Sequence, residues 1–481
     1  MIHLLTTTAA SLRQRPSLRN LDLVIAIAAL SLISFSLPGR DLDATGGFDI
    51  IALLKAVARL GAVAWFGTIC FLAVRDRIFS HATRDQHQAS RHPATRRRAV
   101  LFPILLPFWA FALWAMVTVS WSSLQKVSFG QWLGLLSLML IAQTVAMRTD
   151  FRASPKESDS YASGKRLHWL SVVKWLNATL AIYCLIVTIV HVCAPSLSGL
   201  NRELLRAGHG GLVHPTAAGA TSGLTVLVSA FLLWRADRKK RWPYIASLLI
   251  GSVTLLFSES RSSLSMTTLV VMTFVFALST MRVRAATMIG GGCICLLILV
   301  CDPGLNLAGQ SVSRATDYVQ RGQSVQQLKD VSGRTEMWAA VWKQYQKAKV
   351  LGHGYFLSSE TGKLYVWRRY DNHEAHNLAL QLLVSTGFIG ACLFGMGILG
   401  IAWSWLRGLP DAMRSADERV QFCFLFLALG MWFTGWCQGC TSLIGPIRPE
   451  SVLFFVVLGL FAAFTAERKP LPLDHRVGEA G

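Results

Sequence analysis

Three basic side chains carry the most chemical potential in this sequence: Arg261 in the run Ser258–Ser263, Arg334 after Ser332 and Gly333, and His376 in the stretch Asp371–Asn377 (DNHEAHN). Arg261 stands in a tight link between two apolar runs. An arginine there is costly unless water or an anion meets it. Guanidinium groups present a rigid fork that matches phosphate oxygens two at a time. Arg334 opens an amphipathic stretch, so the N–H groups of a helix start would add to its pull on an anion. Two such groups facing one cavity would suit a diphosphate. His373 and His376 are three residues apart and Asn377 follows, so a helix would set all three on one face. An imidazole there can take a proton from a hydroxyl near neutral pH. The plainer readings stand beside these: Arg261 pairs with Glu259 or reaches to headgroups, Arg334 ends a loop, and the histidines are polar end-groups of a span.

Other groups carry weaker signals. Arg206, His209 and His214 flank a glycine-rich turn in 201–219, and His353 lies in the turn Gly352–Tyr355. These histidines together with His373 and His376 would face the same side, but no HExxH or Cys/His spacing supports zinc. Asp41 and Asp43 form a carboxylate pair that a metal-dependent transferase would use. Cys437 and Cys440 read first as small packing residues and second as a thiol pair that an oxidising compartment would close.

The elements that position these groups are membrane spans. Of 481 residues, 53% are hydrophobic and only 15% charged, well below the roughly 25% charged share of soluble domains. The net charge of +21 does not gather into one patch, as nucleic-acid binding would require, but punctuates apolar runs. Runs long enough to cross about 30 Å of hydrocarbon lie near 21–38, 50–74, 99–120, 127–147, 169–193, 212–234, 243–257, 264–281, 285–301, 377–405, 420–438 and 451–466. The predicted fold is therefore an all-α polytopic membrane protein of about 12 transmembrane helices. With a retained N-terminal anchor and both termini cytoplasmic, the short connections rich in Lys and Arg fall inside. The expected organisation is nine spans in 1–302, a long periplasmic loop at 303–376, three spans in 377–466 and a cytoplasmic tail at 467–481. Within the loop, Thr335–Lys349 repeats Trp338, Val341, Trp342 and Tyr345 at helical spacing. It lies either along the headgroups or on top of the bundle. Asp371 and Glu374 are spaced like a capping box for the next span.

The segments HPTAAG (214–219), SESRSSL (258–264), SGRTEMW (332–338), LGHGY (351–355) and AHNLALQLLVSTGFIG (375–390) occur in this order. Together they resemble the O-antigen ligase/polymerase family of membrane glycosyltransferases, which includes exopolysaccharide polymerases; Thr216 stands where that family often has asparagine. The resemblance implies a GT-C-like bundle in the bacterial inner membrane with a periplasmic site. It implies inverting, metal-independent transfer of a glycan from undecaprenyl diphosphate to a sugar hydroxyl. The acceptor would be lipid A–core or a second lipid-linked repeat. No cofactor, metal or nucleic acid is implied, and membrane lipids are the only other partner. Carried over by position, Arg261 and Arg334 become the diphosphate-binding arginines and His376 the essential histidine. Arg206, His214, His373, Asn377 and Tyr355 are then expected to line the substrate site. Two other functions remain open to test: a flippase for the same lipid-linked sugar, and a metal-dependent transferase using Asp41 and Asp43.

Overall fold

The computed structural model describes residues 57–72, 102–151, 167–200, 211–278, 334–362, 364–367, 370–372, 374–414, 418–437, 443–444 and 447–466. The expected spans at 21–38 and 285–301, the first part of the 303–376 loop, Asp41, Asp43, Arg206, His209, His373 and Cys440 lie outside them.

Among the described residues, seven helices are long and apolar enough to cross a membrane. They are α2 (Leu106–Thr118, extended by single turns to Pro103–Trp121), α3 (Gln125–Arg148), α4 (Trp169–Cys193), α5 (Pro215–Arg235), α9 (Leu378–Arg414), α10 (Glu418–Trp436) and α11 (Pro449–Ala466). Two shorter apolar helices, α1 (Val57–Leu72) and α6 (Trp242–Phe257), and α7 (Arg261–Leu278) complete the bundle, and α8 (Arg334–Lys347) packs on it. The chain is a multi-pass membrane protein. Among the described residues the regular structure is helical apart from two small ladders, β1 (Thr149–Asp150) beside β2 (Leu167–His168) and β3 (Leu364–Trp367) against β4 (Tyr370–Asn372).

Pattern decides position. The α11 sequence is apolar all round, and its side chains from Pro449 to Phe464 are buried almost without exception, so it forms the centre. The small residues Ala217–Gly223 let α5 approach its neighbours closely. A Cβ on Gly219 would strike the Ser260 side chain, and one on Gly223 would strike Thr267. The segment 214–219 is thus a helix start rather than a turn: Pro215 takes the first position and His214 caps it, its Nδ1 accepting from the Thr216 N–H at 3.2 Å.

The helices alternate in direction. One end of the bundle gathers the starts of α3, α5, α7, α9 and α11 with the ends of α2, α4, α6 and α10. At the other end His168, 2% exposed, accepts from the Leu170 N–H through Nδ1 and lies 2.7 Å from Glu418 through Nε2. The other Glu418 oxygen accepts from Arg235 at 2.8 Å. That cluster ties α4, α5 and α10 together over a buried aromatic group containing Phe151, Trp169, Phe422 and Phe464.

Candidate active site

The site is built around an interruption in α9. Gly387 adopts φ 69°, ψ −172°, which divides the helix. The two pieces are joined by the chain that follows α8. Above the break, the carbonyls of Val384 and Ser385 accept from the N–H groups of His353 and Gly354 at 2.9 and 3.0 Å. Below it, the N–H groups of Phe388 and Ile389 donate to the carbonyls of Lys349 and Val350 at 2.8 and 3.4 Å. The turn therefore supplies the backbone bonds that an unbroken helix would have made, which satisfies groups otherwise orphaned in an apolar setting. It needs glycine to do so: Gly352 has φ 70° and Gly354 φ 115°, and a Cβ on Gly352 would stand 2.5 Å from the Gly387 nitrogen.

The break also turns the upper piece of α9 sideways. Leu378 donates to the Cys437 carbonyl at the end of α10, and Trp405 donates to the Cys423 carbonyl further along it. Between those points α9 would run roughly 40 Å and α10 only about 21 Å at 1.5 Å per residue. Residues 378–386 therefore cross the end of the bundle from α10 towards α2, where Trp114 donates to the Thr386 carbonyl at 2.9 Å. Helix α8 lies on this cross-piece, with Met337 and Val341 buried against Ala375 and Val384. Packing on the bundle, rather than lying alone along the headgroups, is thus the outcome for α8, although Trp342 keeps an exposed face.

His376 sits at the outer tip of the cross-piece with φ 47°. A left-handed backbone costs a residue with a Cβ about 1–2 kcal/mol, so its surroundings must hold it there. Asn377 caps α9, its Oδ1 accepting from the Leu380 N–H at 3.1 Å. The expected Asp371–Glu374 capping box does not form, because Asp371 pairs with Tyr365 in the β3–β4 ladder. Burial is the main influence holding the His376 imidazole below its ordinary range. Arg334 and Arg448 press in the same direction, and the Glu374 carboxylate opposes them. One imidazole thus feels two guanidinium groups and one carboxylate, and it is kept neutral, the form that can accept a proton.

Arg261 reaches the same end from another helix. Met266 touches Gly435, and Thr267 accepts from the Trp432 indole at 3.0 Å, which sets α7 against the last turns of α10. Five residues earlier on α7, Arg261 therefore stands near the level of Cys437 and Leu378. Glu259, also left-handed at φ 46°, places its charge beside Arg261.

Of the expected substrate groups, Asn377 adjoins His376, while His214 is an exposed helix cap one link away. Tyr355, expected at the substrate site, has a fully buried ring and a hydroxyl that donates to the Ile444 carbonyl, so it braces the turn against the segment leading to α11. His353 is likewise committed, its Nε2 lying 2.9 Å from the Gln344 carbonyl. Arg448 and the electrostatic part played by Glu374 were missed from sequence. The signal for Arg448 was present: it stands in Ile447-Arg-Pro-Glu450 at a span start, as bare of a topological reason as Arg261. Among the described residues no group of three or more His, Cys, Asp or Glu side chains is placed to hold a metal ion.

Residues 246–395 match a family model described as O-antigen ligase. This stretch resembles the O-antigen ligase family. It contains Arg261, Arg334, the bridging turn, His376 and the break at Gly387, while Arg448 lies beyond its end. No curated protein matches the chain.

Proposed function

We propose that this protein transfers a glycan from undecaprenyl diphosphate to a sugar hydroxyl at the periplasmic face of the bacterial inner membrane, with inversion and without a metal. The feature that carries the reading is His376 at this end of the bundle, within reach of the charges of Arg334 and Arg448 and held below its ordinary range chiefly by burial. Base and anion-binding groups are the two things such a transfer needs side by side. The arginines hold the diphosphate and stabilise the charge that grows on it as the bond to the anomeric carbon breaks. The acceptor oxygen forms the new bond to that carbon, and its proton passes to His376. Arg261 adds positive charge from the α7 side. Diphosphate is a good leaving group once its charge is met, so no separate acid is required.

The match of residues 246–395 to the O-antigen ligase family model supports glycan transfer of this class. With both termini in the cytoplasm, the orientation that the Lys- and Arg-rich connections favour, the site end of the bundle faces outside. The acceptor decides between ligase and polymerase: a ladder of products from donor alone means polymerase, and product formed only when lipid A–core is added means ligase. The test of the chemistry uses purified protein in vesicles with a defined undecaprenyl-diphosphate glycan. Arg334→Lys keeps charge but loses the fork, so its transfer rate falls roughly 10²–10³-fold, close to that of Arg334→Ala. Wild-type rates from both Arg334→Lys and His376→Ala would end this reading.

A further inference from the structure

We propose that Trp338 and Gln381 are positioning residues that clamp Ala375 through its backbone carbonyl and its N–H, and so aim the ring of the next residue, His376, into the site. The inference rests on the proposed role of His376 as base and adds how that base is held.

Ala375 is fully buried, yet neither of its backbone polar groups is bonded within a helix or strand. Its N–H donates to Gln381 Oε1 at 2.8 Å, and its carbonyl accepts from Trp338 Nε1 at 3.1 Å. The two partners come from different elements, α9 and α8. Gln381, itself 0% exposed, uses its remaining amide hydrogens on the Leu357 carbonyl at 3.3 Å, which ties the clamp to the bridging turn. Backbone geometry makes this arrangement more than packing. Rotation of the 375–376 peptide would swing the Ala375 carbonyl away from Trp338 and carry His376 from φ 47° to the ordinary negative region, relieving its strain and turning its ring. The indole N–H opposes that rotation. Trp338 is also one turn from Arg334 on the same helix, so the group that meets the diphosphate and the group that aims the base move as one body.

Trp338→Phe keeps an aromatic ring but removes the N–H together with the second ring of the indole; Gln381→Met keeps the length and removes both bonds. Each is expected to lower kcat roughly 10–100-fold, as small misplacements of a reacting group do, with donor KM within about twofold. Each should also move the acid limb of the pH–rate profile upward, towards the ordinary imidazole range near 6.5, because a released ring reaches water. The decisive measurement is a cycle with His376→Ala. If the clamp acts through the imidazole, adding Trp338→Phe to His376→Ala costs no further activity. An equal cost in both backgrounds, or unchanged kcat and acid limb in both single variants while His376→Ala remains impaired, overturns the clamp alone. Full activity in His376→Ala instead overturns the catalytic reading beneath it. Unfolding midpoints of the single variants identify any loss due to misfolding, and Gln381→Met decides the matter if Trp338→Phe does not fold.

Discussion

Replacing Gly387 by alanine tests whether the break in α9 is a built joint. The position has φ 69°, which costs an L-residue about 1–2 kcal/mol. The new Cβ would lie within the space of the Val350 carbonyl, and the turn backbone cannot yield without pulling Lys349 and Val350 off the Phe388 and Ile389 N–H groups. Two backbone bonds at about 0.5–1.5 kcal/mol each bring the expected loss to about 2–5 kcal/mol. The control is in the same helix: Gly395 has nothing within 4 Å of its would-be Cβ, so Gly395→Ala removes a helix-weakening glycine and gains up to about 1 kcal/mol. Thermal unfolding of the two variants and the parent, in one detergent, should give midpoints displaced in opposite directions. Coincident midpoints for Gly387→Ala and Gly395→Ala would refute the joint, since the two sites differ only in backbone conformation and in what the Cβ meets.

Further outcomes follow from the charges. Arg448→Ala removes an influence that lowers the His376 pKa, so the acid limb of its pH–rate profile rises towards the ordinary imidazole value; Glu374→Gln removes the opposing influence, so that limb falls. Reversed directions in rates measured across the acid range would show that another group titrates. At the far end of the bundle, Glu418→Ala leaves His168 and Arg235 without their shared carboxylate. Because that carboxylate is partly exposed, the loss is roughly 1–3 kcal/mol by unfolding midpoint, with turnover per folded molecule unchanged.

Hydropathy made most of the bundle legible. The run 169–193 coincides with α4, because apolar length separates a span from its links, while the run 243–257 corresponds to α6, a helix shorter than the seven candidate spans. What hydropathy could not show was direction change inside a span: Gly387 in Gly-Phe-Ile-Gly reads as one more small residue in an apolar run, and only its partners in the turn reveal the break. For the same reason the glycines and tyrosine of 352–355, read as a turn beside a substrate, prove to be a brace for the backbone. Arg334 and His376 were visible because a guanidinium at a helix start and an imidazole at the mouth of an apolar run carry chemistry of their own. Their relation to Arg448 was not, since nothing local joins residues so far apart in the chain.

The brace at 349–354 has a consequence for biogenesis. It lies upstream of the helix it completes, so every partner for Val384, Ser385, Phe388 and Ile389 has been synthesised before Gly387 emerges from the ribosome. The interrupted segment can be sealed as it inserts. In the reverse order, it would wait in lipid with four open backbone groups, each costing several kcal/mol.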